Sequence, residues 1–229
     1  MAKTSLFVTG TDTGVGKTLV SAAILHAFAR KGLRTLAMKP VASGCEETAE
    51  GLRNEDALML QAAMTESLPY AQVNPIALAP AIAPHVAASQ AGKQLSSARL
   101  AGFVRGLQLR PADLFLVEGA GGWRVPLNDQ ETYAQVPREL GLGIVLVVPL
   151  KLGCINHALL TVEAIQADGL KVAGWVANRP DPEVMTCEEE TLLYLRRHLP
   201  GMCLGVLPWQ AEPDPGQLAD YLSVDALLC

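Results

Sequence analysis

Two lysines and a carboxylate, Lys17, Lys39 and Glu118, stand where this chain could do chemistry on a phosphate. The run Gly10-Thr11-Asp12-Thr13-Gly14-Val15-Gly16-Lys17-Thr18 follows an apolar stretch, Leu6-Phe7-Val8, and leads into a segment rich in Ala and Leu. Glycines in such a turn let backbone N–H groups converge on phosphate oxygens with no side chain in the way, and the start of a helix adds partial positive charge. Lys17 would reach the terminal phosphates of a nucleotide, and the Thr18 hydroxyl would be offered to Mg²⁺. Strand, glycine-rich turn and helix in this order make a P-loop. The spacing departs from the common form, since five residues and not four separate Gly10 from Gly16.

In parallel α/β sheets ligands bind outside the carboxyl ends of the strands, which makes the polar residues there candidates for ligand contact. Thr35-Leu36-Ala37-Met38 ends in Lys39-Pro40-Val41-Ala42-Ser43-Gly44. Lys39 reads as a second fixed positive charge facing phosphate or carboxylate, with escape to solvent as its bland alternative, and Ser43 would hydrogen-bond the same ligand. At a strand end, Lys39 is expected to be removable without harm to the core. Leu114-Phe115-Leu116-Val117 ends in Glu118-Gly119-Ala120-Gly121-Gly122. Glu118 is placed as a Mg²⁺ anchor, and the glycines allow close backbone approach to a substrate. Asp56 follows Arg53-Asn54-Glu55 and reads as a helix cap; position alone does not separate it from Glu55 as a ligand. Ile144 to Val148 leads to Pro149-Leu150-Lys151-Leu152-Gly153-Cys154-Ile155-Asn156-His157, where Asn156 or His157 would cap or begin a helix. Trp175-Val176-Ala177-Asn178 places an amide at a strand end, where it can pair with a purine edge.

The elements that must position these groups are legible in the apolar pattern. Leu6 to Val8, Thr35 to Met38, Leu114 to Val117 and Ile144 to Val148 are continuous apolar runs, as expected of parallel strands covered on both faces; Ala173 to Ala177 and Leu204 to Leu207 are weaker candidates. Helix-like stretches lie between them at Thr18 to Lys31, Ser96 to Leu109, Ile155 to Asp168 and Glu188 to His198. The alternation predicts an α/β fold of the P-loop NTPase kind, with a mostly parallel twisted sheet and helices on both faces. Thr65 to Gln94, rich in Pro and Ala, reads as a long loop with short helical pieces, either a surface excursion or a wall over the site.

Length and composition bound the rest. The 229 residues favour one domain spanning 1–229, at roughly 150 residues per domain. Half are hydrophobic and 18% charged, which excludes a disordered chain. A net charge of -5 argues against general nucleic-acid binding. Ser67 to Gly92, the longest uncharged run, contains Pro69, Pro75, Pro80 and Pro84 and would not span a membrane as a helix. Cys45, Cys154, Cys187, Cys203 and Cys229 are scattered without a CxxC pair, so they read as free thiols in a reducing cytosol and not as a zinc site or disulfide framework. Met1-Ala2-Lys3-Thr4-Ser5 runs straight into a strand-like stretch, so no signal peptide is expected. The protein is expected to be soluble and cytoplasmic.

Taken together, the motifs resemble one family, the dethiobiotin synthetases of biotin biosynthesis. The extended loop at 10–18, Lys39 to Gly44, Gly51-Leu52-Arg53-Asn54-Glu55-Asp56, Val73-Asn74-Pro75, Pro84-His85, Val117 to Trp123, Lys151 to His157, Gly174 to Asn178 and Pro208-Trp209 are similar to that family's segments, in order along nearly the whole chain. The resemblance implies carboxylation and ring closure of 7,8-diaminopelargonic acid with CO₂ and ATP, through a carbamate and a carbamic-phosphoric anhydride. It implies Lys39 and Lys17 as catalytic residues and Thr18, Asp56 and Glu118 as Mg²⁺ ligands. It assigns nucleotide contacts to Gly14, Val15, Gly16, Lys17, Thr18, Leu19, Asp56, Glu118, Gly119, Ala120, Gly121, Asn178, Arg179, Pro208, Trp209 and Gln210. Thr13, Ser43, Gly153, Cys154 and Asn156 are its substrate contacts, the last three serving the neighbouring subunit of a homodimer with sites at the interface. Cys154 is then a packing residue and not a nucleophile. Neither nucleic acid nor membrane is an implied partner.

Three positions depart from the family pattern. Gly14 stands where some members carry an acidic residue, Arg179 where others have Asp, and the acidic ribose contact falls on either Glu212 or Asp214. A partitioning or assembly ATPase of the same class is the alternative reading. It would carry a Lys near the start of the loop, and membrane-associated members a basic amphipathic tail; this chain opens the loop with Gly10-Thr11-Asp12 and ends Tyr221 to Cys229 without a cation. A cobyrinic-acid-type amide synthase would need a glutaminase domain that the chain is too short to hold.

Overall fold

The computed structural model describes residues 3–228; Met1, Ala2 and Cys229, named above among the N-terminal residues and the cysteines, lie outside the described residues. In chain order the first half comprises β1 (Thr4–Gly10), α1 (Lys17–Arg30), β2 (Thr35–Met38), β3 (Val41–Ser43), β4 (Glu46–Thr48), β5 (Gly51–Arg53), α2 (Glu55–Ala63), α3 (Tyr70–Val73), β6 (Ile76–Leu78), α4 (Pro84–Gln90) and α5 (Ser97–Gln108). The second half adds β7 (Leu114–Glu118), α6 (Gln135–Leu140), β8 (Gly143–Pro149), α7 (Cys154–Ala167), β9 (Val172–Asn178), α8 (Glu188–His198), β10 (Met202–Leu207) and α9 (Pro215–Leu218).

Six strands form a wholly parallel sheet in the order β10-β9-β8-β1-β7-β2. Successive side chains of a strand point to opposite faces, yet every residue of β7 and all but the first of β8 are buried, so both faces are covered. Apolar side chains from Leu6 to Leu227 make one contiguous cluster around the sheet. The six expected strands and four expected helices are all present, with ends shifted by at most two residues.

Register does the positioning. Met38 pairs with Val117 and Val8 with Glu118, so the residues that leave β2 and β7 emerge side by side. Gly10 pairs with Val147, and Asn178 pairs with both Pro149 and Leu207. Each polar group singled out at a strand end therefore lies along the same edge of the sheet.

The stretch 41–90 is more structured than its sequence suggests. β3 and β6 form a short parallel pair, and β4 and β5 an antiparallel hairpin. Strands of three residues are too short to show a period. Asn54, and not Asp56, caps α2, with its side chain accepting a hydrogen bond from Ala57 N at 3.3 Å; Asp56 sits in the first turn, freed for other work.

Leu116 lies mid-strand in β7, wholly buried, with Leu6 and Ala37 of the neighbouring strands paired to it on either side. Leu116→Ala is expected to lower unfolding stability by about 2–5 kcal/mol, read from the urea midpoint, because the cavity cannot collapse between paired strands.

Candidate active site

Gly10 and Gly16 in the loop after β1 are required by close packing. A Cβ on Gly16, whose φ is +91°, would fall on the amide nitrogen of Asn178. That nitrogen donates to Val15 O at 3.0 Å, so Asn178 braces the loop from behind, and its Oδ1 is buried with no partner. Lys17, on the first turn of α1, folds back to donate to Asp12 O at 3.0 Å. Burial lowers its pKa to about 8, against the pull of Glu118.

The centre of the site is an ion cluster. Lys39 Nζ donates to Glu118 Oε1 at 2.6 Å and to Asp56 Oδ2 at 2.7 Å. Thr18 Oγ1 donates to the same Glu118 Oε1 at 2.8 Å, while Glu118 Oε2 is buried and unpartnered. Glu118 is wholly buried and Lys39 only 5% exposed. Burial works to lower the Lys39 pKa, but the charges of Glu118 and Asp56 outweigh it and raise the ammonium above its ordinary value. Burial likewise pushes the Asp56 carboxyl up, and Lys39 and Thr18 overcome it and hold the group below the usual carboxylate range. Position alone leaves Asp56 and Glu55 level, and the resemblance names Asp56; the helix turns Asp56 inward to Lys39 and leaves Glu55 exposed.

A cleft of about 790 Å³ opens over this cluster. Thr13, Gly14, Gly16, Lys17, Thr18, Leu19, Lys39, Ser43, Asp56, Ala120 and Gly121 line it. Met59, Arg124, Val125 and Pro126, which no sequence motif marks, also line it. Arg124 is fastened to Asp168 at 2.8 Å, a partner no local pattern could reveal. Ala81 to Pro84 form one wall, so part of the irregular stretch does cover the site while the remainder packs as α3, β6 and α4. Gly119 lies beneath: a Cβ there would come within 2.9 Å of the Phe7 ring, so the chain after Glu118 needs glycine to sit this low.

The remaining expected contacts lie outside that cleft. Arg179 N donates to Leu207 O at 3.1 Å, which brings Asn178 and Arg179 beside Pro208, Trp209 and Gln210. The Arg179 guanidinium is bound to Glu188 at 2.6 Å. Trp209 is 42% exposed. Asp214 is occupied in capping α9, accepting from Gly216 N at 2.8 Å, which leaves the exposed Glu212 as the uncommitted member of that acidic pair. Gly153, Cys154 and Asn156 begin α7; Cys154 is buried, and burial raises its thiol, while Gly153 and Asn156 face solvent beside Leu152, which is 95% exposed.

A family model described as an AAA domain matches residues 4–216. The ATP-dependent dethiobiotin synthetase BioD of Marinobacter nauticus is 67% identical, over 100% of this chain and 99% of its own. Those of Pseudomonas aeruginosa strain UCBPP-PA14 and Chromohalobacter salexigens are 55% and 50% identical, over 97% and 96% of this chain and 97% and 98% of theirs. Among solved structures, the MinC:MinD cell division protein complex of Aquifex aeolicus matches with a TM-score of 0.60 at 16% identity, over 98% of this chain and 93% of that one. The cell division protein FtsY of Thermotoga maritima matches with a TM-score of 0.53 at 15% identity, over 100% of this chain and 69% of that one. At such identities these two show the fold alone.

Two outcomes follow from the geometry. The expectation that Lys39 can be lost without harm to the core is corrected by its burial, because Lys39→Ala strands the wholly buried Glu118. The variant is expected to lose about 3–5 kcal/mol of stability in urea unfolding, and adding Glu118→Gln should restore much of it; a lone Lys39→Ala as stable as the parent would contradict the pairing. Lys17, with its pKa near 8, is charged below that pH and neutral above it. Phosphate favours the ammonium, so ATP affinity measured by calorimetry should fall between pH 8 and 9.5, and binding at pH 8 should take up protons, seen as a heat that varies with the buffer. Affinity that stays flat over that range would count against the assignment.

Proposed function

The chain belongs to the ATP-dependent dethiobiotin synthetases, and on that premise we propose how its own residues form the ureido ring of dethiobiotin from 7,8-diaminopelargonic acid, CO₂ and ATP. The observation that carries the reading is Lys39, a buried ammonium held between Glu118 and Asp56 at the floor of the P-loop cleft. Carbamate and γ-phosphate are both anions, and they must meet for the reaction to begin. A fixed cation between them, in a site shielded from water, lowers that repulsion without reorganising as the reaction proceeds.

One amine of the substrate takes up CO₂ as a carbamate. A carbamate oxygen attacks the γ-phosphorus and ADP departs, with Lys17 and Lys39 stabilising the charge on the transferring group. The second amine then attacks the carbonyl carbon of the anhydride, phosphate leaves, and the ring closes. Thr13 and Ser43 hold the diamine end, so that ring closure is intramolecular and needs only a near-attack pose. The apolar wall of Ala81, Ile82, Ala83 and Val125 suits the hydrocarbon chain of the substrate.

We assign the nucleotide's phosphates to Gly14, Val15, Gly16, Lys17, Thr18 and Leu19. The adenine goes to Asn178, whose buried, unpartnered Oδ1 is an acceptor suited to an exocyclic amine, with Pro208, Trp209 and Gln210 beside it. The Arg179 side chain is bound to Glu188, so a contact from Arg179 comes from its backbone. Glu212 is the ribose contact in this reading. The donor set at the ion cluster fits a hard cation: the Thr18 hydroxyl, the Asp56 carboxylate and the orphaned Glu118 Oε2 are all oxygens. Mg²⁺ bound there would neutralise phosphate charge and polarise the γ-phosphoryl group.

The exposed start of α7 is the natural place for a second copy. Gly153, Cys154 and Asn156 lie outside their own chain's cleft, and in a homodimer they would complete the substrate site of the other protomer. Among the described residues no helix is long and apolar enough to cross a membrane. We place the enzyme in the cytoplasm, acting as a single domain over 1–229.

Purified protein incubated with diaminopelargonate, bicarbonate, ATP and Mg²⁺ is expected to form dethiobiotin and phosphate in equal amounts, identified by mass spectrometry. Hydrolysis of ATP with no ring product would refute the reading.

A further inference from the structure

The Val73-Asn74-Pro75 motif and the residue type at position 70 have no role in the reaction just described, yet they sit behind its central pair. Lys39 and Asp56 belong to different elements. Lys39 leaves β2, and Asp56 rides on the first turn of α2. Their contact of 2.7 Å lasts only if those elements are fixed to each other.

The Tyr70 hydroxyl does this from both sides. It accepts a hydrogen bond from the backbone N–H of Asn54 at 2.7 Å and donates to Asn74 Oδ1 at 3.2 Å. Asn54 is the cap of α2 and so sets the turn that presents Asp56. Asn74 is buried, and its amide nitrogen donates to the carbonyl of Lys39 itself at 2.7 Å. The backbone N–H of Lys39 donates to Val73 O at 2.8 Å, so Lys39 is gripped on both its main-chain groups by the same short segment. The Asn54 amide also reaches Ser43 O at 3.4 Å. Arg53 stacks 4.3 Å above the Tyr70 ring and holds the phenol in place. Burial raises the Tyr70 pKa, which keeps the hydroxyl a donor.

We propose that Tyr70 and Asn74 are positioning residues for the reaction, a hydrogen-bonded relay that fixes the Lys39 main chain against the helix carrying Asp56. The proposal rests on the reading of Lys39 and Asp56 as working groups of the site. It gives the irregular stretch after α2 a second duty besides walling the cleft. A displacement of an ångström at a reacting centre can cost on the order of a hundredfold in rate, so loss of the relay should register in turnover.

Tyr70→Phe removes both hydrogen bonds and keeps the ring under Arg53. Asn74→Asp keeps the acceptor facing Tyr70 and removes the amide donor to Lys39. Each is expected to lower kcat by about tenfold to a hundredfold, while affinity for a non-hydrolysable ATP analogue, measured by calorimetry without Mg²⁺ so that Asp56 takes no part, stays within about twofold because the P-loop is untouched. Made on top of Lys39→Ala, with Glu118→Gln present to keep the fold, Tyr70→Phe should change the residual rate by less than about twofold, since the Lys39–Asp56 pair that it holds is already gone. A purely structural Tyr70 would instead lower the unfolding midpoint and leave kcat per folded molecule unchanged. Circular dichroism sets the folded fraction, and whichever of the two variants folds decides the matter. A folded variant with parental kcat, or one that loses the same factor with and without Lys39, overturns the proposal. If the parent protein itself forms no dethiobiotin, the functional reading fails and not the relay.

Discussion

The structure is organised around one electrostatic demand: a carboxylate that is wholly buried must be given partners. Glu118 ends the second-innermost strand of the sheet with no access to water, and Lys39 and Thr18 both donate to its Oε1. An unpaired charge so placed would cost several kcal/mol, so the ends of β2, β7 and α1 are fixed relative to one another by that need. The register supplies it cheaply in conformational terms, because Met38 and Val117 are paired and the next residue of each strand is Lys39 and Glu118. The same arrangement leaves Lys39 charged, immobile and poorly solvated, which is the condition under which one cation can strongly stabilise a transferring phosphoryl group.

Close packing of backbone around the pair forms the second layer. Gly16 lets Asn178 brace the P-loop, and Gly119 lets the chain after Glu118 pass over Phe7. Phe7 in turn meets Trp123 and Tyr133 edge-on, at 6.3 and 5.6 Å between ring centres, which stiffens the floor beneath the cleft. A site that must hold two anions together gains from such rigidity, since any group that swings away lets water screen the charge.

Much of this was readable from the sequence, for definite reasons. The long apolar strands, the glycine turn and helix α1 are local patterns, and polar residues directly after apolar runs mark strand ends without further information. The AAA-domain match and the full-length relatives bear out the fold and the family reading. What stayed hidden depends on contacts between distant residues. That Lys39 is buried and not merely at a strand end follows from its pairing with Glu118, 79 residues away. That Asn54 caps α2 while Asp56 turns inward is a choice among adjacent polar residues that spacing cannot make. The three-residue strands are too short to show a period, and the Tyr70–Asn74 relay falls in a proline-rich stretch where the only signal was a motif without an evident task.

In the proposed reaction Lys17 and Lys39 bring a carbamate oxygen onto the γ-phosphorus. A direct measurement follows the oxygen. With ¹⁸O-labelled CO₂ as the carbon source and a reaction short enough to limit exchange with water, one labelled oxygen is expected in the phosphate released and one in the ureido carbonyl of the product. Phosphate that draws its new oxygen from water alone would mean that the nucleotide is hydrolysed without passing through the anhydride, and would contradict the role given to the buried lysine.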